Sequence, residues 1–210
     1  MIRGLTMDYF FSDIAGEHNT FVEVIPNAIS QKSLSLIEKY VKTQSFFDAS
    51  TIKSENLSDT DDMDIRSTLM CWMTDGEKVP DNLLPVYEEL TSLSRRVNDA
   101  FWRYNIEGWE PFQYGEYRAD KNGHYTWHID TSARFNGGHV RKLSFSLGLS
   151  HRHEYEGGNL EIKFGCKPFQ CKIGKGEMVV FPSFLLHRVT PVTKGVRKTL
   201  VGWGRGPNFV

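Results

Sequence analysis

His128 and Asp130 stand one residue apart in the stretch YTWHID, residues 125–130, where Tyr125 and Trp127 come just before them. In an extended strand, residues i and i+2 project to the same face. The spacing therefore places an imidazole and a carboxylate side by side, and both are metal ligands. A His-x-Asp alone is weak, because an ordinary surface strand carries it equally well. A third ligand has to come from a distant segment. His187 is the candidate, since it closes the apolar run in FPSFLLHRVTPV. Two imidazoles and one carboxylate on one side of an ion leave coordination positions open, which suits an ion that must take up reactants rather than one that braces a fold. His18, His124, His139, His151 and His153 are read as ordinary residues, with His151 and His153 in a surface turn.

A second constellation follows His187. Arg197 comes ten residues later, after the turn signal PVTKG, and Arg197, Thr199, Val201 and Trp203 share one face of the next expected strand. A guanidinium with a hydroxyl two residues on can pair with a carboxylate through a bidentate contact and a third donor. A salt bridge at the rim of a barrel would use the same Arg. In RKLSFSLGLS, residues 141–150, Lys142, Ser144, Ser146, Gly148 and Ser150 alternate with Leu143, Phe145, Leu147 and Leu149. The apolar set is expected to pack on helices. The small set either faces a cavity or is simply solvated.

These residues need a scaffold. FVEVI reads as a short strand. After Pro26 a helix is expected, with Ser30 as N-cap and Leu34, Ile37 and Val41 on its buried face. IRSTLMCWM resembles a strand. From Pro80 to Tyr104 a second helical region carries the stripe Leu83, Val86, Leu90, Leu93, Val97, Ala100, Phe101 and Tyr104. Beyond residue 112 come short strands, FQYGEY, YTWHID, RKLSFSLGLS, NLEIKF, PFQCKI, EMVVFP and TLVGWG, broken by FNGG, EGG and GKGE. Helices first and closely spaced strands second predict an α+β, mainly β fold with a barrel or sandwich core. The chain is expected to be a single domain over 1–210, with 1–111 as helical and strand support and 112–205 as the β core. Segments 50–64 and 131–140 read as loops able to close over a site.

The whole-chain numbers narrow the function classes. A net charge of −1 over 210 residues gives no basic excess for a phosphate backbone, so nucleic acid is not the expected partner. No apolar run reaches the roughly 20 residues of a membrane span, and the first residues lack the layout of a secretion signal. The expectation is a cytoplasmic protein. Three cysteines, Cys71, Cys166 and Cys171, offer no second pair, so a cysteine zinc site is not expected, and Cys166 and Cys171 are expected to stay reduced.

Together, His128 and Asp130, His187, the basic Arg197 and Trp203 six residues beyond it resemble the Fe(II)/2-oxoglutarate-dependent oxygenase superfamily. The similarity is greatest to its prolyl 4-hydroxylase-like branch, which includes bacterial PKHD-type hydroxylases. The segments PNAIS, DIRST, VNDAFWRY and EGG before NLEI extend the resemblance from about residue 20 to residue 205. It implies a double-stranded β-helix, a cupin-like jelly-roll barrel with flanking N-terminal helices. It implies Fe(II) on His128, Asp130 and His187, and 2-oxoglutarate on Arg197 with Thr199 and Tyr117 assisting. Tyr125, Trp203 and Arg66 match positions near the substrate. The implied reaction consumes O2, hydroxylates a C–H bond and releases succinate and CO2, with ascorbate as an optional accessory. Asp130 fits hydroxylation, because related halogenases leave that ligand position vacant. A peptidyl proline is the first expected substrate, and a free amino acid or other small molecule the second. Oxidative demethylation of nucleic acid and a non-catalytic jelly-roll binding module are the competing classes. The sequence does not settle an oligomeric state.

Overall fold

A computed structural model describes residues 21–49, 65–131 and 138–209. The expected loop at 50–64, most of the loop at 131–140, His18 and the N-terminal stretch lie outside the described residues. In chain order the elements are β1 (Glu23–Ile25), α1 (Gln31–Val41), β2 (Phe47–Asp48), β3 (Arg66–Ser67), β4 (Leu69–Trp72), a 3-10 turn (Asp81–Leu83) leading into α2 (Leu84–Phe101), β5 (Gly108–Trp109), β6 (Gln113–Arg118), β7 (His124–His128), β8 (His139–Gly148), β9 (Tyr155–Gly157), β10 (Leu160–Lys163), β11 (Phe169–Cys171), β12 (Met178–Pro182), β13 (Leu186–Val189) and β14 (Val192–Pro207).

The helices form where the spacing predicts. Ser30 caps α1 by accepting a hydrogen bond from the Ser33 N–H at 3.2 Å. Leu34, Ile37 and Val41 are buried on one face. The backbone N–H and hydroxyl of Ser30 also donate to the Glu89 carboxylate at 2.7 and 3.1 Å, tying α1 to α2. Val86, Leu90 and Val97 make the buried stripe of α2. The expected stripe runs too far, however. The helix stops at Phe101, which is exposed, and Tyr104 lies beyond it. The Asn98 side chain bonds both the N–H and the C=O of Tyr104 at 2.9 Å, and Arg103 turns the chain with a positive φ of 54°. A polar side chain that satisfies backbone groups in place of the next helical turn ends the helix.

Among the described residues the strands form two antiparallel sheets. The larger has the order β1-β12-β8-β14-β6-β4-β2, with β5 and β9 also pairing β14. The smaller has the order β11-β10-β13-β7-β3. Together they make the jelly roll expected from the sequence. Strand β12 shows how the layers are built. Met178 and Val180 belong to the core beneath the helices, while Val179 and Phe181 belong to a second core with Leu160 and Ile162 of β10. Its period-two alternation thus serves two layers at once. Strand β8 does the same with different chemistry. Leu143, Phe145 and Leu147 enter the helix-side core, and Ser144 and Ser146 are buried on the opposite face, so that face is not solvated.

Two strand boundaries depart from expectation. Strand β7 ends at His128, so Asp130 lies past its end. Strand β14 is sixteen residues long and absorbs most of the expected PVTKG turn. Val192, Lys194 and Gly195 pair with β9, and the chain reverses just before, at Thr190 and Pro191. Gly195 has φ +71°, and a Cβ there would sit 2.0 Å from the Glu154 carbonyl oxygen, so this crossing admits no side chain. The three cysteines are free; Cys166 is exposed, and burial pushes the Cys71 thiol up to about 11.

Candidate functional site

Strands β13 and β7 are neighbours in the smaller sheet, and His187 and His128 are direct cross-strand partners. Their ring centroids are 4.1 Å apart. Each ring is oriented by its own backbone. Nδ1 of His128 lies 2.8 Å from the Thr126 carbonyl oxygen, and Nδ1 of His187 lies 2.8 Å from that of Leu185. A carbonyl only accepts, so each Nδ1 carries a proton, and the Nε2 of each ring is the atom turned to the cluster.

Asp130 reaches the same point without a strand to hold it. Its N–H donates to the Ser183 carbonyl at 2.9 Å, and the N–H of Thr131 donates to the same oxygen at 3.1 Å. The carboxylate then lies 3.7 Å from His128 Nε2 and 3.4 Å from His187 Nε2. Ser144 Oγ donates to Asp130 Oδ2 at 2.7 Å, and Ser183 Oγ, 2.9 Å away, donates in turn to Ser144. The Trp203 side chain also hydrogen-bonds the carboxylate. Burial opposes ionisation of Asp130, but the two imidazoles, Ser144 and Trp203 outweigh it and hold the group below the usual carboxylate range. Burial, then the neighbouring His187, pushes His128 down to about 4. At neutral pH the cluster is a carboxylate and an unprotonated His128 ring beside His187, as metal binding requires.

The donor set fits a divalent transition ion. The three ligand atoms lie within 4.8 Å of one another. Ligands each about 2.1 Å from one ion at right angles would be roughly 3 Å apart, so the 3.7 and 3.4 Å spacings from the carboxylate to the two imidazoles need only a small contraction. Mixed imidazole and carboxylate donors in a three-ligand set suit Fe(II).

All nine residues singled out from the sequence, from Arg66 to Trp203, line a single cavity of about 240 Å³ between the sheets. Arg197 is 2% exposed and pairs across β14 and β6 with Tyr117, whose ring lies 5.1 Å from the guanidinium carbon. Tyr155 donates its hydroxyl hydrogen to the Ile173 carbonyl at 2.8 Å and accepts from Arg197. Nη1 of Arg197 is buried with no hydrogen-bond partner among the described residues. A buried cationic N–H left unpaired is costly, so this corner is built to receive an anion. Thr199 Oγ1 donates to the Leu147 carbonyl at 2.9 Å and lies 3.0 Å from Ser146 Oγ.

Tyr125 stacks on His128, with centroids 3.5 Å apart and planes 17° apart. Arg66 lies with its guanidinium carbon over the Tyr125 ring, 4.7 Å from the ring centroid. Its Nη2 donates to Gln113 Oε1 at 2.9 Å, while its Nε is buried and unpartnered. Trp203 carries the Arg141 guanidinium at 3.9 Å, and Arg141 Nε donates to Glu110 at 2.9 Å. Sequence reasoning did not single out Gln113, Arg141, Ser183 or Phe181, whose ring meets His187 edge-on at 4.8 Å. No spacing rule links these residues to the site. The small-residue face of β8 was the one available signal for Ser144.

Residues 112–205 match the family model of the 2OG-Fe(II) oxygenase superfamily. The chain is 40% identical over 86 residues to a PKHD-type hydroxylase of Synechococcus sp., covering 41% of this chain and 38% of that protein. It is 42% identical over 93 residues to a PKHD-type hydroxylase of Idiomarina loihiensis, covering 44% and 38%. The chain thus spans 38% of the length of these two relatives. Among solved structures it resembles a Pseudomonas putida prolyl-4-hydroxylase, with TM-score 0.65 and 18% identity over 89% of this chain and 93% of that one. It also resembles a Trichoplax adhaerens prolyl hydroxylase in complex with a hypoxia inducible factor peptide fragment, with TM-score 0.67 and 19% identity over 89% and 84%. At these identities the likeness is one of fold.

Proposed function

We propose that the chain, whose residues 112–205 match the family model of the 2OG-Fe(II) oxygenase superfamily, is a 2-oxoglutarate-dependent dioxygenase that hydroxylates a C–H bond, with a peptidyl proline as its substrate. The observation that carries the reading is the pairing, in one cavity, of the His128, Asp130 and His187 cluster with a buried Arg197 that has an unsatisfied N–H. His128, Asp130 and His187 would hold Fe(II). Bound Fe(II), 2-oxoglutarate and O2 supply the oxidation, with succinate and CO2 as products. The chain's own residues do the rest. Thr126 and Leu185 fix the imidazole tautomers, Ser144 and Trp203 aim the Asp130 carboxylate, and Arg197 anchors the far carboxylate of 2-oxoglutarate on the Tyr117 face. Thr199 assists by turning its hydroxyl from the Leu147 carbonyl to that carboxylate. Tyr125, Arg66 and Trp203 border the space left for substrate.

Proline is favoured by the names of the proteins this chain resembles, PKHD-type and prolyl hydroxylases. The test is anaerobic addition of Fe(II) and 2-oxoglutarate, read as the visible charge-transfer band of the chelate, followed by succinate release with proline peptides and free amino acids. His128→Ala and Asp130→Ala each abolish the band. Arg197→Ala raises the 2-oxoglutarate concentration for half-formation roughly ten- to hundredfold, the effect of losing a charged hydrogen bond. An unchanged titration in Arg197→Ala would refute the co-substrate assignment.

A further inference from the structure

Among the described residues three guanidiniums line the cavity, and they are not equivalent. Arg141 is paired with the Glu110 carboxylate and stacked on Trp203. Arg197 has one buried N–H without a partner, which the far carboxylate of the co-substrate would take. Arg66 also has a buried, unpartnered N–H, at Nε, and its only hydrogen bond among the described residues goes to the neutral amide oxygen of Gln113. It also lies over the face of Tyr125, which attracts a cation but neutralises no charge. Among the described residues the cavity therefore contains two guanidiniums with an unpaired buried N–H and no carboxylate partner, and under the proposed function 2-oxoglutarate would account for one of them.

We infer that Arg66 binds a carboxylate of the substrate, so the substrate class is an acid: a molecule with a carboxylate close to the C–H bond that is oxidised. This deepens the proposed function and rests on it. The geometry supports a short reach. Arg66 pairs with Tyr125 across β3 and β7 and lies over its ring, and Tyr125 stacks on His128, so one aromatic ring touches both the guanidinium and the metal cluster. Gln113 is the positioning residue. Its amide oxygen holds Nη2 and so fixes the plane of the guanidinium, whose Nε is left unpaired among the described residues. A carboxylate there gains charge-assisted hydrogen bonds that a neutral amide does not. The carboxylate has two possible sources, the free α-carboxylate of a small acid or the acidic side chain of a peptide, and both present the same group to Arg66.

The experiment is anaerobic isothermal titration calorimetry on the chain saturated with Fe(II) and 2-oxoglutarate, with two matched probe pairs. N-acetyl-L-proline against its methylamide tests the α-carboxylate. N-acetyl-Pro-Glu methylamide against N-acetyl-Pro-Gln methylamide tests the side-chain source. In at least one pair the acid binds tighter than its neutral partner by about tenfold or more. Arg66→Gln reduces that preference to under about threefold, Arg66→Lys retains an intermediate preference, and Gln113→Leu weakens the acid selectively. The charge-transfer titration with 2-oxoglutarate is the same in Arg66→Gln and the parent, which separates this site from the Arg197 corner. Equal binding of acid and amide in both pairs, or a 2-oxoglutarate titration displaced by Arg66→Gln, overturns the inference. Absence of the charge-transfer band in the parent chain instead overturns the proposed function.

Discussion

Ser144 shows what a single hydroxyl can do beside a metal cluster. It is 1% exposed, receives a hydrogen from Ser183 and gives its own to Asp130 Oδ2. Removing it leaves the three ligands in place but holds the carboxylate by Trp203 alone of its two side-chain donors. Ser144→Ala is expected to weaken Fe(II) retention by about ten- to a hundredfold, the range found for partners that orient metal ligands. The check is Fe(II) titration at fixed 2-oxoglutarate, with a circular dichroism spectrum matching the parent. At this scale the sequence was legible for the ligands and partly legible for their support. His128 and Asp130 stand out through their i, i+2 spacing, although the rule that suggested them assumed a strand that actually ends at His128. What keeps the pair together is the Ser183 carbonyl, which lies far along the chain from Asp130 and follows no local pattern. Gln113 is hidden for the same reason, because its role depends on Arg66 arriving from another strand.

The β9–β14 crossing is where backbone geometry bears on the site. Gly157 has φ +72°, with a would-be Cβ 2.1 Å from the Pro191 carbonyl oxygen, and Gly195 is equally enclosed against Glu154. The close approach brings Tyr155 beneath Arg197 and lets its phenol accept from the guanidinium. Gly195→Ala must both adopt a disfavoured φ and displace a carbonyl. It is expected to cost more than about 1 kcal/mol of stability, measured by urea denaturation at constant m-value, and to raise the 2-oxoglutarate requirement as well. The glycines of EGG and TKG were visible as punctuation, yet their meaning was not. They read as turns between strands, whereas Gly157 and Gly195 lie within paired strands. Helix α1 is the opposite case. Its cap and its buried face are written locally in Ser30, Leu34, Ile37 and Val41, so local rules suffice. Tyr104 fell outside α2 because the competing Asn98 bonds form only after the chain has turned back.

At the scale of the whole molecule, both sheets contribute to the cavity, His128 and His187 from the smaller and Arg197, Thr199 and Trp203 from the larger. Ligands that bridge the two sheets should therefore stabilise the fold as a unit. With metal and 2-oxoglutarate present at about a hundred times their dissociation constants, linkage contributes about 2.7 kcal/mol per independent site, or roughly 5–10 °C in Tm for a chain of this length. Anaerobic thermal unfolding should show that rise, chelation of the metal should reverse it, and Asp130→Ala should not show it. The fold class was legible at this scale because alternation along β8 and β12 encodes two buried faces. The order of strands in each sheet was not, since each partner is chosen by long-range pairing.

Strand β14 carries Arg197, Thr199 and Trp203 on one uninterrupted backbone. At about 3.3 Å per residue, the six steps from Arg197 to Trp203 measure roughly 20 Å, and that length is a ruler engraved into the larger sheet. Evolution can exchange any of the marks by substitution. It cannot add or delete one, because a single inserted residue would invert every side chain beyond it and point the indole that steadies Asp130 at the helices instead.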